Sequence, residues 1–272
     1  RMAYMQATMY NNRVLRVQDM IVDEIVIENC WQAPLYFSSP PYDESPLNLC
    51  SRATRVGLLY RLEREPKENL VDADRSYDLF MNRYRYTGLN DIRVYRDHSA
   101  TRDFAITYGG SVMPIVNELL RTGKTDSVNA LLYKMVEVYP EFWQPYFVIS
   151  DLALRKGDTA VSQDILIKCH ENFKALHEAY PNNLYYMQDY GMVLVELGRG
   201  ADNQSQIEEG LQLMWRSFNG NSDNTILFKK LASVLAELGR YDELQRAARQ
   251  TAQYKRNLTD PYLQRLLNIG GS

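Results

Sequence analysis

Val193-Leu194-Val195-Glu196-Leu197-Gly198-Arg199 and Val234-Leu235-Ala236-Glu237-Leu238-Gly239-Arg240 are near copies of one phrase, 41 residues apart. Each is a helix-forming apolar run that ends on glycine, the residue that most readily closes a helix. Two further glycines extend the series towards the N-terminus: Gly123, Gly157, Gly198 and Gly239 are separated by 34, 41 and 41 residues. A second phrase keeps the same offset, in Glu137-Val138-Tyr139-Pro140 and Glu178-Ala179-Tyr180-Pro181.

Self-similarity at 34 residues is the period of the tetratricopeptide repeat, a helix-turn-helix unit that buries its apolar face by stacking on its neighbours. The longer spacing of 41 is that period plus an insertion of seven. Seven residues make about two helical turns, so an insertion of this size keeps a packing face in phase. Aligned on the glycines, four helical pairs follow. The first runs from Gly110 to Tyr139. The second begins near Trp143, and its long second helix passes His170 and His177 towards Pro181. The third begins near Leu184, with Gly191 where two helices cross closely and a polar insertion from Gly200 to Ser205. The fourth spans Thr225 to Tyr254, and Asp260-Pro261 opens a capping helix from Tyr262 to Asn268.

The N-terminal block has no repeat. Val14 to Glu28 suits an amphipathic helix with Leu15, Met20, Ile21, Ile25 and Ile27 as its apolar positions, after a stop at Asn11-Asn12. Trp31 to Phe37 reads as a short strand, with Pro34 barring a helix. A proline-bearing loop leads to Ser45-Pro46, a helix start that would carry a short helix to about Thr54. Val56 to Leu62 reads as a second strand. Asp72 or Asp74 caps a helix to about Tyr84, and Gly88-Leu89-Asn90-Asp91 is a turn. Asp97 or Ser99 caps the next helix through Phe104 and Tyr108, which Gly109-Gly110 breaks or kinks before Pro114. The expected fold is mostly α: a small α+β N-terminal block over residues 1–98, then a tetratricopeptide-like helical-pair solenoid with a capping helix over residues 99–272.

Composition narrows the function classes. A net charge of −3, with basic residues scattered among acidic ones, gives no electrostatic footprint for nucleic acid. No run approaches the roughly 18 apolar residues that cross a bilayer, and no apolar signal-peptide core follows Arg1. The opening Arg-Met-Ala-Tyr reads as a piece of a longer chain. Cys30, Cys50 and Cys169 suit buried thiols rather than a disulfide scaffold or zinc site, though an oxidising compartment would allow a Cys30–Cys50 bridge.

Three ordered motifs carry a resemblance. They are Trp31-Gln32-Ala33-Pro34-Leu35-Tyr36-Phe37, Gly57-Leu58-Leu59-Tyr60-Arg61-Leu62 and Tyr95-Arg96-Asp97-His98-Ser99-Ala100-Thr101-Arg102. With the repeat tail, these resemble the soluble C-terminal regions of bacterial multi-spanning protein O-mannosyltransferase-like membrane proteins of the GT-C type, long catalogued as a domain of unknown function. The motifs cover roughly residues 14–140. Ala33 departs from the pattern, since the family usually has a basic residue there. The resemblance implies a periplasmic, extracytoplasmic module that positions a protein, peptide or glycan acceptor, or a partner, for an upstream membrane domain where the chemistry resides. The other reading is a free-standing, cytoplasmic tetratricopeptide adaptor that assembles protein complexes.

No catalytic, cofactor or metal constellation is expected. His170 and His177 stand seven apart, about 10 Å along a helix, too far to share one metal ion. Asp23-Glu24, Asp72/Asp74 and Glu208-Glu209 suit solvated helix faces and starts rather than acid–base pairs. Asp97 and Arg102 suit an ion pair that fastens the N-terminal block to the first repeat. The better functional candidate is the groove lined by the first helix of each pair: Asn117, Arg121, Phe147, Asp151, Arg155, Tyr185, Gln188, Glu196, Lys229 and Ser233. Charge, amide and aromatic groups together suit a polar peptide or a glycan. Met113 stands where a carboxylate-clamping lysine would sit.

Overall fold

Gly57 adopts φ +62° and sits at the turn of a tight β-hairpin where the sequence suggests one continuous strand. A side chain there would be strained, and its Cβ would lie 2.1 Å from the Tyr84 hydroxyl oxygen. The flanking strands are β4 (Ala53–Val56) and β5 (Leu59–Leu62) in the computed structural model, which describes residues 9–10, 13–14, 17–41, 48–91 and 99–269. A short strand β3 (Tyr36–Phe37) pairs antiparallel with β5, giving the order β3-β5-β4. A separate antiparallel pair, β1 (Met9–Tyr10) and β2 (Arg13–Val14), precedes them.

The first helix, α1 (Val17–Asn29), starts later than its apolar pattern suggests and buries a different face. Val26 is buried beside Leu49 and Leu62, with Val22, Leu35 and Phe37 against them. Met20, Ile21, Ile25 and Ile27 are exposed instead. The β-branched valines lie over the small sheet, and that contact decided the face. The expected helix from Ser45 is a single 3₁₀ turn, Cys50–Arg52, and Ala53 and Thr54 already belong to β4. Its Ser45-Pro46 start lies outside the described residues.

Helix α2 (Ala73–Asp78) is capped by Asp72, whose carboxylate accepts from the Arg75 N–H, and it continues as a π-helical turn to Arg83. Gly109, Gly110 and Pro114 all lie inside one continuous helix, α3 (Ser99–Arg121), rather than at a break. Gly109 serves close packing: a Cβ there would sit 3.2 Å from the Tyr139 ring. Helix α4 (Thr125–Val138) follows a turn at Gly123 with φ +75°. Phe80, Tyr84, Tyr86 and Tyr108 meet edge to face at centroid distances of 5.1–6.3 Å, joining the π turn to α3. Arg55 adds a hydrogen bond to the Ser111 hydroxyl at 2.8 Å, tying β4 to α3. The Asp97–Arg102 pairing lies outside the described residues and side chains.

Seven helices follow: α5 (Trp143–Arg155), α6 (Thr159–Ala179), α7 (Leu184–Gly200), α8 (Gln204–Gly220), α9 (Thr225–Glu237), α10 (Tyr241–Ala252) and α11 (Pro261–Ile269). Gly157 (φ +79°) and Gly239 (φ +70°) make the expected turns. Gly198 does not. It is helical and buried, and a Cβ there would meet Ile207 at 2.7 Å; Asp202, at φ +51°, takes the left-handed position instead. The extra residues of this pair therefore lengthen its helices, and the connection is only 201–203. Helices α7 and α8 approach closely where Gly191 faces Gly210, each of whose added Cβ would fall within 2.6 Å of the other's carbonyl oxygen.

The chain divides into two compact units, Arg1–Phe142 and Trp143–Ser272. This boundary lies past the change of sequence character at 98/99, because α3 and α4 pack on α2 and its π turn. The core of the second unit gathers Leu211, Met214, Phe218, Phe228, Leu231, Leu235 and Leu263, each at most 1% exposed.

Candidate functional site

Helices α7 and α9 begin alike. Asn183 and Asn224 each cap a helix, accepting hydrogen bonds from two backbone N–H groups of the first turn. From that common start, side chains pair across the two helices along their length. The Asn224 amide donates to the Tyr185 hydroxyl at 2.7 Å. The Gln188 amide donates to the Leu227 carbonyl at 2.7 Å, and Ser217 of α8 lies 3.1 Å from its oxygen. Lys230 forms an ion pair with Asp189. Near the C-terminal ends, Arg199 bridges Glu196 (2.8 Å) and Glu237 (3.0 Å), and the Ser233 hydroxyl donates to Glu237 at 3.2 Å.

The Asp189–Lys230 pair is the buried part of this strip, at 12% and 21% side-chain exposure. Burial pushes the Asp189 carboxyl above the usual range, against the opposing pull of Lys230. Burial likewise raises Glu196, with Arg199 opposing. Beside the pair, the Lys230 ammonium lies 5.9 Å from the Trp143 ring centroid, and Trp143 contacts Phe147 at 5.2 Å. Both aromatic residues are half-buried against the core. The arrangement is a strip of fixed hydrogen-bonding and charged groups flanked by a flat aromatic surface.

The ten sequence-derived groove residues divide on this geometry. Tyr185, Glu196 and Ser233 belong to the strip. Gln188 does not line a surface: it is 0% exposed and structural, because α9 covers it. Phe147 packs largely into the core. Lys229 is exposed and paired with Asp260, the cap of α11. Asp151 and Arg155 pair with each other at 2.8 Å on the exposed surface of α5. Asn117 and Arg121 belong to the first unit, where Glu118 binds Arg121 (2.6 Å) and accepts from Asn69 (2.6 Å).

Sequence reasoning overlooked Asp189, Lys230, Arg199, Glu237 and Trp143. One signal was available: Asp189 and Lys230 stand 41 residues apart, the separation of the two near-identical phrases, with opposite charge. His170 and His177 are half-buried on α6. Their rings flank Tyr190 at 5.5 Å on each side, and their Nδ1 atoms are buried without a hydrogen-bond partner. Burial lowers both imidazole pKa values.

No group of three or more His, Cys, Asp or Glu side chains among the described residues is arranged to hold a metal ion. No helix among them is long and apolar enough to cross a membrane. The three cysteines are free thiols, and only Cys169 is buried. No protein-family model matches the chain, and no curated protein matches it.

Proposed function

We propose that this chain is a non-catalytic binding module that holds a protein, peptide or glycan acceptor against the strip on α7 and α9, presenting it to a membrane glycosyltransferase-like domain on the extracytoplasmic side. The observation that carries the binding reading is the Trp143–Phe147 pair beside the Asp189–Lys230 pair, with the Glu196–Arg199–Glu237 groups farther along the same two helices. A flat apolar ring face next to fixed donors and acceptors suits a sugar ring, whose faces are apolar and whose edges are hydroxylated. The three ordered N-terminal motifs supply the link to a membrane transferase, and the recurring left-handed glycine turns support tetratricopeptide-like repeats.

The test is calorimetric titration with a mannosylated peptide and with the same peptide unmodified. Trp143→Ala is expected to weaken binding of the sugar-bearing form about tenfold or more, and Arg199→Ala to weaken both forms by less. Loss of binding with intact far-ultraviolet circular dichroism supports the reading. Binding by neither peptide, or binding that neither substitution changes, rejects it. Preferential binding of the unmodified peptide favours the adaptor function, as does a coding sequence upstream of Arg1 without hydrophobic spans.

A further inference from the structure

The first unit holds an open cleft of about 540 Å³, a size that suits a small molecule or a short peptide terminus. Val26, Ile27, Trp31 and Leu49 give it apolar walls, and Cys30, Asn48 and Arg52 complete the lining.

Two observations distinguish this cleft from an ordinary surface dent. The first is backbone conformation. Cys30 (φ +44°), Trp31 (φ +62°) and Asn48 (φ +51°) are three of the four non-glycine residues in the left-handed region among the described residues, and all three line the cleft. For a bulky residue such as tryptophan this conformation costs energy, and it persists only where surrounding contacts enforce it. Here they do: the Cys30 N–H donates to the Ile27 carbonyl (3.1 Å), the Gln32 N–H to the Asn29 carbonyl (2.8 Å), and the Asn29 side chain to the Ala33 carbonyl (2.9 Å). The result is a backbone held so that Trp31 lines the cleft at the end of α1.

The second observation is Arg52. Its Nη1 donates to the Arg64 carbonyl at 2.6 Å, which anchors one corner of the guanidinium. Its Nε is buried without a hydrogen-bond partner. Among the described residues no carboxylate pairs with it. Arg52 is the one charged residue among the described residues lining this cleft, and a guanidinium anchored at one corner with no carboxylate paired to it leaves N–H donors for an incoming anion.

We infer that this cleft binds a carboxylate carried on a short aliphatic chain, with the anion on Arg52 and the chain against Trp31, Val26, Ile27 and Leu49. The site is separate from the strip on α7 and α9 and does not depend on the function proposed for it. The same chemistry is presented by a free fatty acid and by a peptide ending in an apolar residue with a free carboxyl.

The experiment uses the whole chain and four probes: octanoate, octanol, and an acetyl-Gly-Leu-Leu peptide with a free or an amidated C-terminus. Binding is read from chemical-shift changes of the Trp31 indole N–H, assigned with Trp31→Phe. Octanoate or the free-acid peptide is expected to bind at least tenfold more tightly than its uncharged counterpart. Arg52→Gln is expected to abolish that preference, leaving a weak, charge-independent affinity. Preference within the octyl pair identifies a fatty acid as the source, and preference within the peptide pair identifies a chain terminus. Equal binding of charged and neutral members in both pairs overturns the inference, as does absence of binding by all four. Because the charge preference is measured on the native protein, the result stands even if Arg52→Gln perturbs the fold.

Discussion

The two compact units contain similar lengths of chain but are specified differently. In Trp143–Ser272, helices succeed one another through short connections, and each packs on its sequence neighbour. Local signals such as the caps at Asn183, Asn203 and Asn224 and the turns at Gly157 and Gly239 mark the helix ends. In Arg1–Phe142, distant segments must meet before the elements make sense. Arg55 reaches Ser111, Asn69 reaches Glu118, and Tyr108 closes on Phe80, Tyr84 and Tyr86. A series of helices that each pack on the next tolerates local reading because its contacts lie close in sequence, whereas a mixed block is legible only once its long-range contacts are known.

Four experiments probe that contrast. Phe80 is 0% exposed at the centre of the aromatic cluster, so Phe80→Ala should cost about 3–5 kcal/mol. The indole N–H resonance of Trp31, the tryptophan of the first unit, follows a urea titration, and a cost under about 1 kcal/mol would show that the cluster is not what holds this unit. In the second unit, Gly210→Ala forces a methyl group towards the Gly191 carbonyl and Val195. It should cost about 1–3 kcal/mol by thermal denaturation, whereas Gly200→Ala, with open space around it, should be nearly neutral.

Removing a cap acts locally. Asn224→Ala leaves the N–H groups of Ile226 and Leu227 without their acceptor and should cost about 1 kcal/mol, with an equal effect for Asn183→Ala if the two helix starts are equivalent. Unequal costs would show that Asn224's contact with Tyr185 adds to its capping role.

The smallest effect is a pH dependence. Burial lowers His170 and His177 below their ordinary value, so as pH falls below about 6.5 the unfolded chain takes up these protons first. Their contribution to stability is complete above that pH and declines as pH falls towards the folded-state values. Tyr190, Lys174, Glu171, Glu178, Glu209 and Arg216 set the local field. The urea midpoint should therefore drop between pH 7.5 and 5.5, and the double substitution His170→Gln and His177→Gln should reduce the drop. An unchanged slope would assign the dependence to carboxylates elsewhere.

Much of the second unit was legible because its determinants are local. Gly157 and Gly239 adopt the left-handed conformation that their position after a helix suggests, and α6 runs on past His170 and His177 as the longer spacing indicates. Gly198 was misread for a physical reason: glycine serves both to turn a chain and to let two helices touch, and sequence does not distinguish these uses. The candidate strip was half legible. Residue type placed Tyr185, Glu196 and Ser233 on it, but Gln188 and Lys229, 41 residues apart, have opposite fates. Gln188 lies beneath α9, while Lys229 reaches Asp260 at the capping helix.

Sequence by itself determined that this protein is mostly helical and where most helices of the second unit start and stop, since capping, turn geometry and apolar period act within a few residues. Tertiary structure alone decided which face of α1 is covered, that Val56 to Leu62 folds back at Gly57, and that Gly109-Gly110 stays helical. It also brought Asp189 to Lys230 and set Arg52 among the apolar residues of a cleft. These outcomes turn on burial. Burial is a property of what packs against a residue, and the residue's own neighbours in the chain do not specify it.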